Sequence, residues 1–298
     1  MNASQAELSG RDRRLGLIAV FVGFVLFGSS PALVAGSSLG GMAAAFWRAW
    51  IACAVFGALA LARRSVGWSL VIPTAAPGLS FGLATGLFFE AAQRTSVANA
   101  SLIAAMSPLV MVVAARFLFG EHVGVPDIGW LTIAMSGAVF MILAADTAGT
   151  ADVTGDLIAI VSVLFSSAYF ILGRRARSTI DTLPFMAGVM FWAGVALTPI
   201  ALLAGQDMVT GDGSEWIRLL TIALIPGLGH LLINYSHRSV PLVVIGLAQL
   251  LMPVSAAALA WWFLDQTITA MQALGMAVVV MALAAHTLYR SRLPTTDP

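Results

Sequence analysis

The chain is expected to be an all-α membrane protein with ten transmembrane helices in two inverted five-helix repeats. Three observations carry that expectation. Hydrophobic residues make up 59% of the 298 positions and charged residues only 10%, where soluble globular domains carry about 25% charged residues. Apolar runs of helix-spanning length follow one another from Leu15 to Tyr289. That is more apolar surface than one soluble core of this size could bury, and the runs are too long and continuous for barrel strands. Sliding the chain by 145 residues lays 106–121 over 251–266, so that Pro108 meets Pro253 while Gly82, Leu83 and Leu87 meet Gly227, Leu228 and Leu232.

Cutting at charges, prolines and glycine-rich breaks gives segments of about 20 residues, the length a bilayer core requires. The first, 15–35, is too long for a signal-peptide core and leads into another span, so it is read as a retained helix. The second, 41–62, holds Cys53, the single cysteine, so no internal disulfide can form. The third, 73–93, repeats Gly78, Gly82 and Gly86 along one face, a signal for close helix packing. The fourth and ninth, 96–119 and 240–263, carry Pro108 and Pro253 near their middles, where each removes a backbone donor and kinks the helix. Segments 125–145, 156–173, 183–204, 216–236 and 270–289 complete the set. Only 146–155 and 205–215, rich in Gly, Asp and Thr, are long enough to be real loops, which leaves no room for a soluble domain. The repeats divide as 1–145 and 146–298.

All 15 basic residues are arginine. With the N-terminus in the cytoplasm, the inner side holds Arg11, Arg13, Arg14, Arg63, Arg64, Arg174, Arg175, Arg177, Arg238, Arg290 and Arg292, with Arg116 close by. The outer side holds Arg94 and Arg218. This asymmetry places both termini inside. Asp146, Asp152, Asp156, Asp207, Asp212 and Glu215 fall on the outer side. Five spans per half is an odd number, so the halves insert upside down relative to each other, the usual construction of an alternating-access carrier.

Lipid penalises polar side chains, so those at mid-depth should face protein or a water-filled cavity. The substrate-binding candidates chosen on this ground are Ser29, Ser107, Ser166, Tyr169, His230, Asn234 and Gln249, with Ser30 and Ser167 beside them. Pro108 and Pro253 are candidate hinges. Glu90 is a carboxylate inside a span, which reads either as a proton-coupling group or as the partner of Arg94 one turn on. His230 is the second coupling candidate, with an interhelical hydrogen bond as its alternative. Arg48, between Trp47 and Trp50, reads as a snorkelling cation in an interfacial belt. The cavity is therefore expected to lack buried cations and to suit a small solute with an apolar or aromatic body. Trp192, Trp261 and Trp262, with Phe88 and Phe89, either stack on such a solute or face lipid. His237 and His286 are expected to be solvated near the inner interface, and His122 belongs to a loop.

Enzyme chemistry finds no support. No cluster of metal ligands, no glycine-rich loop leading to a lysine and no serine–histidine arrangement of a catalytic kind is present, so no metal, cofactor or nucleic-acid partner is expected. The expected partners are the lipid bilayer and a small-molecule substrate, with the oligomeric state open.

The motifs FGSSP (27–31), FWR (46–48) and RTSVANASLIAAMSPLVMVVAARFLFGE (94–121), with a weaker echo in MPVSAAALAWWFLDQ (252–266), resemble the EamA branch of the drug/metabolite transporter superfamily. Within that branch the chain is similar to bacterial exporters of aromatic amino acids and methionine. Ser107, Pro108 and Glu121 match the family's mid-helix Ser-Pro and the glutamate closing the fourth span, while Asp265 and Gln266 depart from that glutamate in the second repeat. The resemblance implies a secondary exporter of small amphiphilic metabolites in the bacterial inner membrane. The alternatives are another solute, such as a cationic drug or a purine-like metabolite, or a scaffold or lipid-handling protein that carries nothing.

Overall fold

The computed structural model describes residues 3–65, 67, 70–95, 97–144, 152–264 and 267–292. Asp146, most of the loop expected over 146–155, and the pair Asp265 and Gln266 lie outside them. Among the described residues thirteen helices occur and no strand. They are α1 (Ala3–Phe27), α2 (Ser30–Ala35), α3 (Gly41–Ala62), α4 (Val71–Arg94), α5 (Val97–Ala104), α6 (Ser107–Leu118) and α7 (Val125–Leu143), followed by α8 (Val153–Ala176), α9 (Thr182–Leu203), α10 (Gly213–Ser236), α11 (Leu242–Ala248), α12 (Leu251–Leu264) and α13 (Ala270–Arg292). Among the described residues eight helical stretches are long and apolar enough to cross a membrane, and a shorter apolar stretch, Leu102–Leu118, takes in the end of α5 and all of α6.

Three of the expected spans are interrupted, each at a serine, proline or glutamine. Between α1 and α2 the ladder tightens, with Ser29 N donating to Leu26 O at 3.2 Å, and the Ser29 hydroxyl takes the same carbonyl at 2.7 Å. Pro31 then opens α2, where its missing N–H costs nothing. Gly28 is required at this break, because a Cβ there would meet the Ser255 hydroxyl and lie 2.7 Å from Met252 O on α12. Between α5 and α6, Met106 N reaches only Ile103 O, and Pro108 sits in the first turn of α6. Between α11 and α12, Leu250 N donates to Leu247 O at 3.0 Å, three residues before Pro253. The two proline-bearing spans were expected to kink; they break into separate helices. The break in the first span was not expected, although FGSSP marks the place.

Taking each interrupted pair as one segment reduces the thirteen helices to ten segments. Their most extensive packing joins the first segment to the eighth (α1 with α10), the second to the seventh (α3 with α9), the third to the sixth (α4 with α8) and the fifth to the tenth (α7 with α13), while α6 lies on α11. Exchanging the halves, so that each segment becomes the one five places on, turns the first pair into the third and returns the others to themselves. That is the contact pattern of a two-fold related pair of repeats.

The glycine face of α4 meets α9: a Cβ on Gly78 would lie 2.5 Å from Trp192 Cβ, one on Gly82 2.8 Å from Ala193 Cα, and one on Gly86 2.7 Å from a Leu197 methyl. The side chains it lacks are what lets these helices touch.

Two polar clusters tie the halves together at opposite ends. At one, Glu121 accepts from the backbone N–H groups of Leu242 and Val243 at 2.7 and 3.1 Å, capping α11, with Arg174 3.6 Å away. Arg174 in turn donates to Val240 O at 2.7 Å. At the other, Glu90 accepts from Arg94 Nε at 2.7 Å and Gln206 Nε2 at 2.9 Å, while Gln206 Oε1 accepts from the N–H groups of Met42 and Ala43 at 3.1 Å each.

The histidines expected in solvent are buried. His286 is 1% exposed and bonded to Asp127 at 2.9 Å, an acid that also accepts from Arg290. His237, just past α10, is 2% exposed. Burial, with Arg174 and Arg177 nearby, holds its pKa down to about 3. Both were misjudged because a position near a helix end was read as a position near water, whereas the packed ends of neighbouring helices cover it.

Candidate functional site

The breaks in the first, fourth and ninth segments face one internal cavity. Its walls include Ser30 and Pro31 from α2, Ser107 from α6, and Gln249 and Met252 at the α11–α12 break. Phe81, Thr85, Phe88 and Phe89 of α4 line it as well, as do Ser162, Ser166 and Tyr169 of α8 and His230 of α10. The free internal volume is about 60 Å³, room for about two water molecules. A second space of about 40 Å³ adjoins it through Pro31, Phe88, Ala104, Gln249 and Met252 and continues past Pro253 and Ala256. Sites for small organic ligands measure about 300–1,000 Å³. The described cavity is therefore smaller than such a site.

Five of the seven substrate-binding candidates lie on this wall: Ser107, Ser166, Tyr169, His230 and Gln249. Ser29 does not, because its hydroxyl turns back to Leu26 O; its neighbour Ser30 takes the place. Asn234 lies one turn behind, donating to the Tyr169 hydroxyl at 2.5 Å and to His230 O at 2.8 Å, so it supports the wall from outside. Pro253 lines the adjoining space, whereas Pro108 is on neither wall and follows the lining residue Ser107 in the first turn of α6. Glu90 is not on the wall and is paired with Arg94 and Gln206. Of the aromatic candidates, Phe88 and Phe89 face the cavity, Trp261 and Trp262 are 51% and 69% exposed, and Trp192 donates to Val71 O.

Arg48 overturns the interfacial-belt reading. It is 2% exposed, lines the cavity, and is the one charged residue among the described lining residues. Its guanidinium carbon lies 5.3, 5.7 and 5.9 Å from the ring centres of Phe81, Phe89 and Phe27. Nη1 reaches the Thr85 hydroxyl at 3.5 Å, and among the described residues Nη2 has no acceptor and no carboxylate forms an ion pair with it. A helix-depth estimate would have found this residue, since Arg48 lies seven residues into a 22-residue helix, about 10 Å below its end at 1.5 Å per residue.

Polar atoms without partners gather at the same place. Among the described residues, the buried side-chain atoms lacking a hydrogen bond include Ser30 Oγ, Arg48 Nη2, both ring nitrogens of His230 and Gln249 Oε1, and all four of these residues line the cavity. Protein interiors satisfy nearly all such groups, so their concentration at one void marks a place built to meet something polar. His230 is instead surrounded by rings, with Phe27 at 4.2 Å, Phe81 at 4.8 Å and Tyr169 at 5.7 Å. Two other hydroxyls of the wall are engaged, Ser107 with Ser167 at 3.2 Å and Ser162 with Ala84 O at 2.8 Å.

An uncharacterized transporter of Archaeoglobus fulgidus is 24% identical over 200 residues, 66% of this chain and 70% of its own length. A solved crystal structure at 23% identity superposes with a TM-score of 0.79 over 94% of this chain and 99% of its own, which shows a shared fold. The model of the EamA-like transporter family matches twice in tandem, over residues 14–143 and 153–287. Those two matches take in nearly all of both halves, and the chain belongs to the EamA-like transporter family.

Proposed function

We propose that this membrane transporter exports small amphiphilic metabolites, with amino acids, aromatic ones and methionine included, as the leading class. In this reading ten spans form two inverted repeats, 1–145 and 146–298, in a bacterial inner membrane with both termini cytoplasmic. Transport proceeds by alternating access: the two polar clusters open in turn and expose the cavity first to one side and then to the other. The carrying observation is the convergence of the unpartnered polar atoms of Ser30, Arg48, His230 and Gln249 on a cavity walled by phenylalanines at three helix breaks.

A scaffold or lipid-handling protein would gain nothing from a desolvated guanidinium without a partner, since such a group is a stability cost of several kcal/mol. A cationic drug would meet Arg48 with no acidic residue on the described wall to offset it. Uptake of labelled amino acids, a cationic drug and a purine into everted vesicles tests the reading. Gradient- or exchange-driven accumulation of an amino acid above control vesicles supports it, and accumulation of only the drug or the purine replaces the substrate class.

A further inference from the structure

We propose that Arg48 is the anion-binding residue of the cavity and that the substrates are small carboxylates with an apolar or aromatic body. The proposal rests on the transporter reading above and assigns a ligand group to one residue of that site. A guanidinium stays charged almost wherever it is placed, so burying it among hydrophobic residues calls for compensation. The three phenylalanine rings compensate the charge in part, because their faces attract a cation within about 6 Å. They accept none of its N–H bonds, and the Thr85 contact at 3.5 Å is at the outer limit of a hydrogen bond. The unsatisfied Nη2 belongs to the residue that lines the cavity. A planar carboxylate matches the fork of N–H groups and brings the missing counter-charge.

The rest of the wall describes the remainder of the ligand. Phe27, Phe81, Phe88 and Phe89 present apolar faces. Gln249 Oε1 is an acceptor without a donor, suited to an N–H group such as the ammonium of an amino acid. With the guanidinium as the one charge on the described wall, a monoanion is neutralised there, a zwitterion can pair its carboxylate with Arg48 while its ammonium meets Gln249 Oε1, and a cation with no anionic group is repelled. The same argument gives Arg48 a signature that a structural arginine lacks. Removing it relieves the unliganded protein of a buried charge, whereas removing a structural ion-pair partner destabilises.

The test measures ligand-induced thermal stabilisation of the purified full chain in detergent. The probes are L-phenylalanine, L-methionine and 3-phenylpropionate, each against the analogue with a primary amide or alcohol in place of its carboxylate. For 3-phenylpropionate these analogues are neutral; for the two amino acids they keep the ammonium and are measured at a pH above its titration, so that they too are neutral. Wild type is expected to be stabilised by the carboxylates and at least about tenfold more weakly by the neutral analogues, the range a lost charged hydrogen bond implies. Arg48→Lys keeps a reduced response. Arg48→Met loses the response while its unliganded Tm equals or exceeds that of wild type. Equal binding of carboxylates and amides, an unchanged response in Arg48→Met, or no response of wild type to any carboxylate would overturn the assignment. A lower Tm in Arg48→Met, with carboxylate binding retained in Arg48→Lys at full strength and no preference over amides, would mark a packing residue instead. Carboxylate binding without transport would leave Arg48 as the anchor and defeat the transporter reading, while transport confined to neutral or cationic solutes would do the reverse.

Discussion

A methyl group added at Gly82 would lie 2.8 Å from Ala193 Cα and 2.9 Å from Ala193 O, both backbone atoms of α9 that cannot rotate away. Carbon atoms rest at about 3.5–4.0 Å, so Gly82→Ala requires α4 and α9 to separate by about 0.7–1.2 Å. A gap of that size forfeits about a quarter to a half of the dispersion attraction at the affected contacts, and overpacking of this kind costs about 1–3 kcal/mol. Alanine also returns up to about 1 kcal/mol of helix propensity. Gly57→Ala isolates the two effects, because Gly57 is inside α3 with nothing within 4 Å of an added Cβ. The difference between the two variants cancels the propensity contribution and leaves the overpacking cost of about 1–3 kcal/mol. At about 2–4 °C per kcal/mol, Gly82→Ala should melt several degrees below Gly57→Ala in detergent. The displacement also reaches the cavity, since α4 carries Phe81, Thr85 and Phe89 around Arg48. Equal melting temperatures for the two variants would refute the close approach of α4 and α9 and with it the packing role of the glycine face.

Further outcomes follow from the polar clusters. Glu90→Gln removes the partner of a half-exposed Arg94 and should cost no more than about 1 kcal/mol; the double variant with Arg94→Gln recovers part of it if the pair is structural, whereas lost gradient dependence with binding retained would assign Glu90 to proton coupling. Glu121→Ala strips both acceptors from the start of α11 and should lower stability by about 0.5–2 kcal/mol, read as a fall in Tm. His237 has a native pKa of about 3 against an ordinary 6.5, so the unfolded chain binds the proton first as pH falls. Its contribution to stability is complete above pH 6.5 and declines from there towards pH 3. His237→Gln should flatten the acid limb of a Tm–pH profile over that window, and an unchanged profile would show that the imidazole is not held neutral by the fold.

Helix positions were legible in this chain because span length and apolarity are local properties; the second segment, 41–62, coincides with α3 from end to end. The interruptions were less so. Pro108 and Pro253 announced theirs, but the break at Gly28 and Ser29 depends on the close crossing of α12, a contact remote in sequence. The break also resets the helical phase, which is why Ser30 faces the cavity while Ser29 caps the turn. Choosing polar residues by depth gathered Ser107, Ser166, Tyr169, His230 and Gln249 because most polar side chains at that depth must find an interior. Arg48 was lost to its neighbours: Trp47 and Trp50 suggest an interface, but Trp47 is hydrogen-bonded to Met208 O and Trp50 to Thr198, so both are structural contacts of α3. Burial of His237 and His286 likewise depends on which helix ends meet, which no single segment records.

The central claim is that solute crosses the membrane through the cavity between the three helix breaks. Counterflow into proteoliposomes preloaded with unlabelled L-phenylalanine or L-methionine tests it most directly, comparing wild type with Gln249→Leu and Ser107→Leu. The account predicts time-dependent accumulation of the labelled amino acid by wild type and a loss of it in both variants, with expression and Tm near wild type. Accumulation no greater than in protein-free liposomes, or full transport by both variants, would contradict it.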